Sequence, residues 1–498
     1  MTTTRGDTSR GPVVFERHYA AFAAGVLGLA FFNFAFRLGS EFVHDWDESL
    51  YGTSAWEAVR DGSWIGTTFR GELDYYNAKP PLMVWLIALA FKAFGTNLIS
   101  LRLASAVSAW LTVAVLQRWA RRCFGPFVAL ITSLVLATTF GFVHVHSGRS
   151  AATDALFTLF MSLTVVTLWA EEARPWRRVW LGPLLAGTFL LRGMAVLMPV
   201  ALVATVATAT RRPREAFWKP TLAAAAVFLL LVAPWFVARY AVDGLAFFRP
   251  MFVQDFLVRS LRPIEEHAGG PLYYLDILQK HHYDWLLAGA VALLLLPLPW
   301  RKLRALATNW RDRDGLRVLL AAWAGCTLAI PTVMQTKTPW YLNTFYPMFA
   351  VGLALSLAPG LASARVSLPR WRAMTTLGAF LLALVLAEGK LIWYSFHYRD
   401  LRLSGQSLLL EERYQLRSRR VYMHPLARAD WFVAEAVVGA APQPALDRIG
   451  FFNASRSGDY LLGTETCDDP ELKLVRTNGR QYLCRRFDRA TVGSRHRR

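Results

Sequence analysis

The chain has 498 residues, of which 54% are hydrophobic, and its 55 Lys and Arg against 35 Asp and Glu give a formal net charge of +20. This apolar content, with 19 Trp and 32 Phe, excludes a disordered chain and a fibrous repeat. The apolar residues are bunched into runs without a charged side chain, such as Ala223 to Val237, which indicates a polytopic membrane protein.

In chain order, about eleven membrane-spanning helices are predicted. They lie near residues 19–37, 98–118, 124–145, 154–171, 178–191, 194–210, 219–240, 284–300, 317–334, 341–358 and 373–396. The apolar segment 80–94 is shorter than the roughly 20 residues that a bilayer requires, so we expect it to lie along the outer interface. The predicted fold class is an all-α polytopic membrane bundle with juxtamembrane helices on its outer face.

Basic residues collect in the N-terminal tail and in every second loop. The loop residues are Arg118/Arg121/Arg122, Arg174/Arg177/Arg178, Arg211/Arg212/Arg214/Lys219, Arg301/Lys302/Arg304/Arg311/Arg313 and Arg365/Arg370/Arg372. Short cytoplasmic loops of membrane proteins carry such an excess, so the charge indicates topology and not nucleic-acid binding. The tail, residues 1–18, precedes an apolar stretch without a small-residue cleavage site, so we expect an uncleaved first span. The alternate loops, including 38–97 and 241–283, then face outward.

The segment after the last span is polar and about a hundred residues long. Its strand-like runs around a helical stretch near Trp431 predict a small α/β domain. The odd span count places this domain outside, which gives predicted boundaries of 1–18, 19–396 and 397–498. There Cys467 and Cys484 could form a disulfide, or they could remain two free thiols.

The first outward loop contains the acidic pair Asp47-Glu48, where a helix emerges from the membrane. A carboxylate in this position can act as a general base for a hydroxyl or amine acceptor. Adjacent helical residues do not share a face, so only one of the two is expected to point at a reacting centre. A helix cap or a solvated turn is the alternative interpretation.

Four cations come from separate outward loops: Lys79, Arg149, Arg192 and Lys337. Their common use would be to bind a polyanion such as a pyrophosphate or a lipid phosphate, although each alone could be an interfacial side chain. Lys79 precedes two prolines that start a helix, and the free N–H groups there also favour an anion. Asp154 begins a span, where it either caps the helix or orients an acceptor; capping is favoured on local grounds.

A base, phosphate-binding cations and a helix bundle suit group transfer from a membrane-embedded lipid phosphate. The sequence has no Walker loop and no Rossmann glycine fingerprint, so it does not support nucleotide hydrolysis or nucleotide-sugar binding. It has no H-E-x-x-H motif or other paired metal-ligand spacing either.

Taken together, these motifs resemble the GT-C glycosyltransferases, in particular the bacterial lipid A aminoarabinose transferases and the protein O-mannosyltransferase superfamily. The resemblance covers about residues 15–400. The matching residues are Asp47-Glu48, Tyr51, Ala58, Asp61-Gly62, Trp64, Tyr76, Lys79-Pro80-Pro81-Leu82, Arg149, Thr153-Asp154, Leu191-Arg192-Gly193, Phe252, Asp255, Arg259, His267, Pro271, Tyr273-Tyr274, Lys337, Trp340-Tyr341 and Tyr346-Pro347.

The resemblance implies an inverting hexosyl- or pentosyltransferase, multi-pass in the cell (inner) membrane, with an extracytoplasmic active site. The donor would be a polyprenyl-phosphate sugar, and the acceptor a lipid, a glycan or a protein. Asp47 would be the catalytic carboxylate. The donor phosphate would be bound by Lys79 and Tyr76, with Arg192, Lys337 and Tyr341 assisting.

One position departs from the family pattern. Aminoarabinose transferases usually have a Glu directly before the Lys-Pro-Pro step, and it pairs through a metal with the loop histidine. Here Ala78 takes that place while His267 is kept. We therefore expect no cofactor; a divalent metal is possible but is not expected. Asp255 stands where relatives often have Asn, which leaves the sugar and the acceptor open.

Two rival functions are considered. A transporter or lipid-linked-glycan flippase would be indicated by inverted repeats and by span pairs broken at the midplane, and the sequence shows neither. An oligosaccharide transferase or polymer ligase with a pyrophosphate-linked donor differs in the donor and not in the architecture.

Overall fold

The computed structural model describes residues 17–170, 174–209, 214–295, 315–361 and 369–487. Several predicted features lie outside these residues: the tail before residue 17, Arg211/Arg212, the basic group from Arg301 to Arg313, Arg365 and the end of the predicted span 284–300. The cytoplasmic placement of these loops stays a prediction.

The described chain is mostly helical. Its α-helices are α1 (Tyr19–Ala35), α2 (Asp47–Asp61), α3 (Leu82–Phe94), α4 (Leu98–Phe124), α5 (Pro126–Ala137), α6 (Phe140–His144), α7 (Asp154–Ala170), α8 (Leu181–Arg192), α9 (Leu197–Ala209), α10 (Arg214–Asp243), α11 (Arg259–Leu261), α12 (Tyr273–Leu295), α13 (Gly315–Val333), α14 (Tyr346–Leu361), α15 (Arg370–His397), α16 (Gly405–Glu411), α17 (Arg413–Leu416), α18 (Arg428–Phe432) and α19 (Arg448–Ala454). Short 3-10 segments lie at Leu38–Ser40, Pro175–Trp180, Gly193–Val196, Pro339–Thr344 and Leu401–Leu403, and π-helical turns at Pro250–Val258 and Val433–Val438.

Long apolar helices confirm a multi-pass membrane protein. Within the described residues, six segments are long and apolar enough to cross a bilayer: Tyr19–Ser40, Leu98–Phe124, Pro175–Ala209, Trp218–Asp243, Gly315–Val333 and Arg370–His397. Shorter apolar helices lie at Leu82–Phe94, Pro126–Ala137, Asp154–Ala170 and Tyr346–Ala358. The predicted count of eleven is not confirmed. One reason is that the predicted spans 178–191 and 194–210 fall within a single apolar segment that is interrupted at Gly193, where φ is +54°.

Residue contacts divide the chain into two units. Unit 1 contains the described residues of 1–36, 78–82 and 105–391, and unit 2 contains those of 37–77, 83–104 and 392–498. In unit 1, α14 packs on α5, α10 on α8, and α9 on α13. Fully buried Trp119 and Trp323 meet edge to face there, with ring centroids 6.0 Å apart.

Unit 2 contains a five-stranded sheet in the C-terminal tail. The strands are β3 (Arg420–His424), β4 (Ala441–Pro444), β5 (Tyr460–Gly463), β6 (Leu472–Thr477) and β7 (Tyr482–Arg486), in the order β4-β3-β5-β7-β6. β3 is parallel to β4 and β5, whereas β7 is antiparallel to β5 and β6. A disulfide joins Cys467 to Cys484 on β7, with Cα atoms 5.8 Å apart. The small α/β tail and its disulfide are therefore confirmed.

The first outward loop folds onto this tail within unit 2. Gln406 forms two hydrogen bonds with the Val43 backbone, at 2.8 and 3.0 Å, and Arg399 forms an ion pair with buried Glu41 at 3.2 Å. Segments in direct contact lie on the same side of a membrane. The loop and the tail therefore lie on the same side of the membrane.

Two elements of this loop explain its shape. α2 begins with Asp47 and Glu48, whose charges favour a helix N-terminus, and it ends at Gly62, where φ is +82°. A two-residue turn at Arg70 and Gly71 then joins β1 (Thr68–Phe69) to β2 (Glu72–Leu73). α3 follows in the chain, and its 13 residues span about 20 Å, less than the roughly 30 Å of a bilayer core.

Candidate functional site

Of the adjacent acids at the start of α2, Glu48 is committed to the fold. It is 2% exposed, and its carboxylate accepts hydrogen bonds from Arg102 Nε at 2.7 Å and from the His44 backbone N–H at 3.0 Å. Arg102 also donates to the carbonyls of Leu38, Glu41 and Phe42. Burial alone would raise the pKa of Glu48, but Arg102 outweighs it and holds that pKa well below its usual range. The glutamate thus fixes the turn that precedes the helix.

Asp47 differs from its neighbour in burial. It is the first residue of α2 and remains half-buried. Because consecutive helical residues point in different directions, fixing Glu48 inward also fixes the direction of the Asp47 carboxylate. The prediction that only one of the pair can face a reacting centre therefore agrees with the geometry, and Asp47 is the remaining candidate. Arg102, which sets this arrangement, was not singled out from the sequence.

Near the start of α2, unit 2 contains a pocket of about 560 Å³. It is lined by Asp45, Trp46, Leu50, Phe69, Arg70, Asp74, Tyr76, Leu426, Arg428 and Trp431. Tyr76, a predicted donor-binding residue, forms part of this wall, and its ring centroid lies 6.0 Å from that of Trp46. Arg70 and Arg428 were not predicted from the sequence, because no neighbouring motif identifies an isolated arginine as part of a cavity.

In unit 1, the predicted residues Asp154, Arg192 and Tyr341 come together. Arg192, at the end of α8, donates to the Asp154 carboxylate at the start of α7, with Nη1 and Oδ1 2.5 Å apart. The guanidinium also lies 5.5 Å from the Tyr341 ring centroid and 5.6 Å from that of Phe157. Asp154 therefore orients the Arg192 guanidinium, and it also lies at the start of a helix, α7, as predicted.

Arg259 joins the same group through Tyr341. Its guanidinium lies near the Tyr341 hydroxyl, and its Nε lies 3.3 Å from the Asp255 carboxylate. Burial lowers the pKa of Arg259, but Tyr341 and Asp255 more than offset this, so the pKa is raised above its ordinary value. Arg259 follows directly on the π-helical turn Pro250–Val258, a distortion that often occurs at functional sites. We call Asp154, Arg192, Arg259 and Tyr341 the arginine cluster.

Lys79 is connected to the arginine cluster by its neighbour in the chain. Pro80 Cδ lies 3.7 Å from the position that a Cβ at Gly193 would take, so the Lys-Pro-Pro step packs beside the end of α8. Arg192 immediately precedes this glycine. Glycine suits position 193 because φ there is +54°, a backbone conformation that residues with a side chain rarely adopt.

Lys337 and His267 are neighbours, but the lysine is engaged. The Lys337 ammonium is buried and donates to the carbonyls of Thr332 and Met334 at 2.7 and 2.6 Å, at the C-terminal end of α13. Its backbone N–H donates to the His267 carbonyl at 2.9 Å. A cation at the negative end of a helix dipole stabilises that helix. This placement favours a structural role for Lys337 over phosphate binding.

Arg149 is likewise buried in the fold of unit 1. It is 1% exposed and donates to the backbone carbonyls of Asn33 and Phe36, at 2.7 and 2.6 Å. These carbonyls lie at the C-terminal end of α1 and would otherwise lack partners there. The structure thus gives the Arg149 guanidinium a helix-capping position.

A charged pair inside the spans was not predicted. Lys390 on α15 lies 3.1 Å from the Asp284 carboxylate on α12 and donates to the His281 carbonyl. Ionisable residues within apolar segments can be recognised from the sequence as candidates for a functional or structural pair. They were not paired because the two helices are far apart in the chain.

The residues around His267 do not fit a metal site of the kind that the family resemblance suggests. His267 Nδ1 lies 3.9 Å from the Glu265 carboxylate, and Ala78 supplies no ligand. In the described ranges, no group of three His, Cys, Asp or Glu side chains is placed to hold a metal ion. No step of the chemistry is derived through a metal.

Comparison with known proteins gives relatives of one kind. The family described as dolichyl-phosphate-mannose-protein mannosyltransferase matches residues 78–237. The undecaprenyl phosphate-alpha-4-amino-4-deoxy-L-arabinose arabinosyl transferase of Pseudomonas aeruginosa (strain LESB58) is 31% identical over 347 residues, 68% of this chain and 60% of that protein. A Pseudomonas fluorescens (strain Pf-5) protein of the same description is 27% identical over the same shares. The chain therefore spans about 60% of the length of these curated relatives.

The fold has close counterparts among solved structures. The crystal structure of ArnT from Cupriavidus metallidurans bound to undecaprenyl phosphate matches 93% of this chain and 97% of its own, with a TM-score of 0.68 at 15% identity. The apo form of that protein matches with a TM-score of 0.66. The resemblance to GT-C polyprenyl-phosphate sugar transferases, expected from the motifs, is confirmed.

Proposed function

We propose that this chain is an inverting glycosyltransferase that moves a sugar from a polyprenyl phosphate to an acceptor on the extracytoplasmic face of the cell membrane. The observation that carries the proposal is the arginine cluster, which the residues singled out from the family pattern form in unit 1. Two guanidinium groups converge there on one tyrosine: that of Arg192 lies 5.5 Å from the Tyr341 ring centroid, and that of Arg259 lies near the Tyr341 hydroxyl. The sequence likeness to sugar transferases supports the same reaction class.

Phosphate binding is assigned to the arginine cluster and Lys79. Guanidinium groups bind phosphate oxygens in bidentate fashion, and the Tyr341 hydroxyl adds a donor once Arg259 orients it. Negative charge grows on the phosphate as it leaves, so cations fixed beforehand stabilise the transition state more than the ground state. Arg192 would exchange its Asp154 partner, wholly or in part, for the phosphate.

Asp47 is assigned the role of general base. Its carboxylate takes the proton from the acceptor hydroxyl or amine, whose freed electron pair attacks the anomeric carbon. The bond from that carbon to the phosphate oxygen breaks, and its electron pair stays on the polyprenyl phosphate. One displacement inverts the anomeric configuration. Asp47 thus receives the proton, the acceptor receives the sugar, and the arginine cluster and Lys79 stabilise the leaving phosphate.

The donor carrier is proposed from the relatives. Their names specify an undecaprenyl phosphate donor, and the matching ArnT structure holds undecaprenyl phosphate. We therefore take an undecaprenyl-phosphate sugar as the first donor class, with a lipid, glycan or protein as acceptor. The disulfide and the contacts of loop and tail support an extracytoplasmic site, because disulfides persist in oxidising compartments.

The test uses the full chain in nanodiscs with a panel of radiolabelled undecaprenyl-phosphate sugars and a membrane-lipid extract as acceptor. We expect release of undecaprenyl phosphate together with label transfer to the acceptor. A protein that instead moves the intact lipid-linked sugar across proteoliposomes, and cleaves none of the panel, would be a flippase, and the proposal would be rejected.

A further inference from the structure

The pocket near the start of α2 in unit 2 contains two arginines that rest on aromatic rings. The Arg428 guanidinium lies 4.8 Å from the Trp46 ring centroid and 5.3 Å from that of Tyr76. The Arg70 guanidinium lies 4.3 Å from the Trp431 ring centroid. Among the residues that the structure describes, neither guanidinium has a carboxylate or a hydrogen-bonding partner. Their N–H donors are therefore available to a ligand.

Hydrogen-bond acceptors line the same pocket. Asp74 is 8% exposed, and its Oδ1 accepts from the backbone N–H groups of Tyr76 and Asn77 at 2.9 and 3.2 Å. Its Oδ2 is buried without a partner in the described structure. Asp45 accepts from the Ala429 backbone N–H at 2.9 Å. A buried carboxylate oxygen without a donor costs free energy unless a ligand supplies one.

The aromatic walls are accessible. Trp46 and Tyr76 are 53% and 56% exposed, an unusual state for such large side chains beside one another. Arg70 also occupies the left-handed region, with φ +61°, although it is not glycine. The two-residue turn that joins β1 to β2 accounts for this conformation and holds Arg70 at the pocket wall.

The chemistry of the lining selects a class of ligand. Two arginines and two aspartates balance in charge, so a polyanion would meet two carboxylates as well as two cations. A sugar matches all three features, because its hydroxyls donate to carboxylates and accept from guanidinium groups while its C–H faces lie on aromatic rings. The volume of about 560 Å³ lies within the usual range for small-ligand pockets.

We propose that this pocket binds a saccharide and holds the sugar portion of the acceptor next to Asp47, whose chain neighbour Trp46 forms part of the wall. The assignment to the acceptor rests on the proposed transferase function, whereas saccharide binding itself does not. The acceptor is accordingly a glycan or a glycolipid and not an unmodified protein or a simple lipid.

Binding is tested with the full chain in nanodiscs on an array of soluble oligosaccharides, with inorganic pyrophosphate as competitor. We expect the wild type to retain at least one class of oligosaccharide without displacement by pyrophosphate. Arg428→Met and Trp46→Ala should each bind about tenfold more weakly. The matched control is Arg413→Met, because Arg413 forms the same kind of contact, 4.9 Å from the Tyr414 ring centroid, outside the pocket of the same unit.

Three results would overturn the assignment: no retained oligosaccharide, displacement by pyrophosphate, or wild-type binding by both pocket variants. Thermal unfolding of each variant shows whether it folds, and Arg428→Lys, which keeps the cation, should retain more binding than Arg428→Met. A fall in binding by Arg413→Met equal to that of Arg428→Met would likewise count against the pocket.

A kinetic measurement separates this proposal from the transferase function. Arg428→Met should raise the acceptor KM about tenfold, whereas Arg413→Met should change neither this KM nor the acceptor-free cleavage of the donor by water. If the wild type cleaves no donor but retains saccharide, the transferase function fails and the pocket stands. Normal donor cleavage with no saccharide retained would remove the pocket proposal alone.

Discussion

The arginine cluster of unit 1 and the pocket of unit 2 use the same side chain in opposite ways. In the cluster, Arg192 is paired with the Asp154 carboxylate at 2.5 Å, so only a ligand of strong negative charge can compete for it. In the pocket, Arg428 rests on Trp46 and Tyr76 and keeps its hydrogen-bond donors. The partner of a cation therefore indicates the charge of the ligand that it can accept, a phosphate in one region and a neutral sugar in the other.

The largest expected effect concerns a third kind of arginine, which is fully committed to the fold. Glu48→Ala removes the carboxylate from buried Arg102 and leaves an uncompensated charge, which should lower the free energy of unfolding by about 3–5 kcal/mol. Denaturation in detergent measures this. The control, Asp61→Ala on the same helix, breaks the exposed pair with Arg60 and should change stability by less than about 1 kcal/mol. Equal effects would show that Glu48 is not structural.

Asp47→Asn tests the assignment of Asp47 as the general base. The amide keeps the size of the side chain but cannot accept a proton, so kcat should fall about a hundredfold or more while donor binding survives. Transfer assays at saturating donor measure this, with Asp61→Asn as the control on the same helix. Full activity in Asp47→Asn would refute the assignment of the base.

Arg192→Met tests whether the arginine cluster of unit 1 binds the donor phosphate. Loss of the guanidinium should lower kcat/KM for the donor about tenfold to a hundredfold, because binding and departure of the phosphate both suffer. Arg192→Met combined with Asp154→Leu removes the carboxylate that is left without its partner. The double variant should regain stability but not donor use; recovery of both would show that Arg192 serves only the fold. Lys79→Ala should resemble the single variant in its kinetics.

The stability of unit 2 should depend on Asp430, which lies behind the pocket. Burial, with the nearby Asp45 charge, raises the pKa of Asp430 from 3.8 to about 7. Between these values the folded chain holds a proton that the unfolded chain has lost, so stability should fall as the pH rises through this window and then level off. Asp430→Asn should flatten that part of the profile. Thermal unfolding between about pH 4 and pH 8 measures it, and an unchanged slope would contradict the prediction.

The smallest expected effect is that of a chelator. Because Ala78 replaces one expected ligand, activity should change by less than about twofold when EDTA is added. Abolition of transfer by the chelator, with recovery on adding back a divalent metal, would show a metal requirement despite this substitution.

The sequence allowed prediction wherever a signal was local. Long apolar runs, the polar tail with its two cysteines, and Arg192, Asp154 and Tyr341 next to family motifs were all recognisable in this way. The number of spans was not, because the break at Gly193 and the short helix Pro126–Ala137 depart from the regular length of a span.

Much of the candidate site depends on partners that are distant in the chain. Arg102 determines the role of Glu48 from 54 residues away, and Arg428 reaches Trp46 only after the tail has folded onto the first loop. Lys337 was predicted to bind phosphate, but whether its ammonium meets a ligand or the carbonyls that end a helix depends on the path of the backbone. Residue types and spacing do not contain that information.

The bonds between Val43 and Gln406 join residues 363 positions apart, and this has a consequence for biogenesis. At about 5–20 residues per second, the ribosome needs roughly 20–70 s to reach Gln406 after it has made Val43. During that interval the first loop lacks the partner that completes its fold, and its exposed aromatic side chains are open to chaperones and proteases. A nascent chain arrested before residue 405 should therefore be degraded from this loop, whereas its membrane-spanning helices are already inserted.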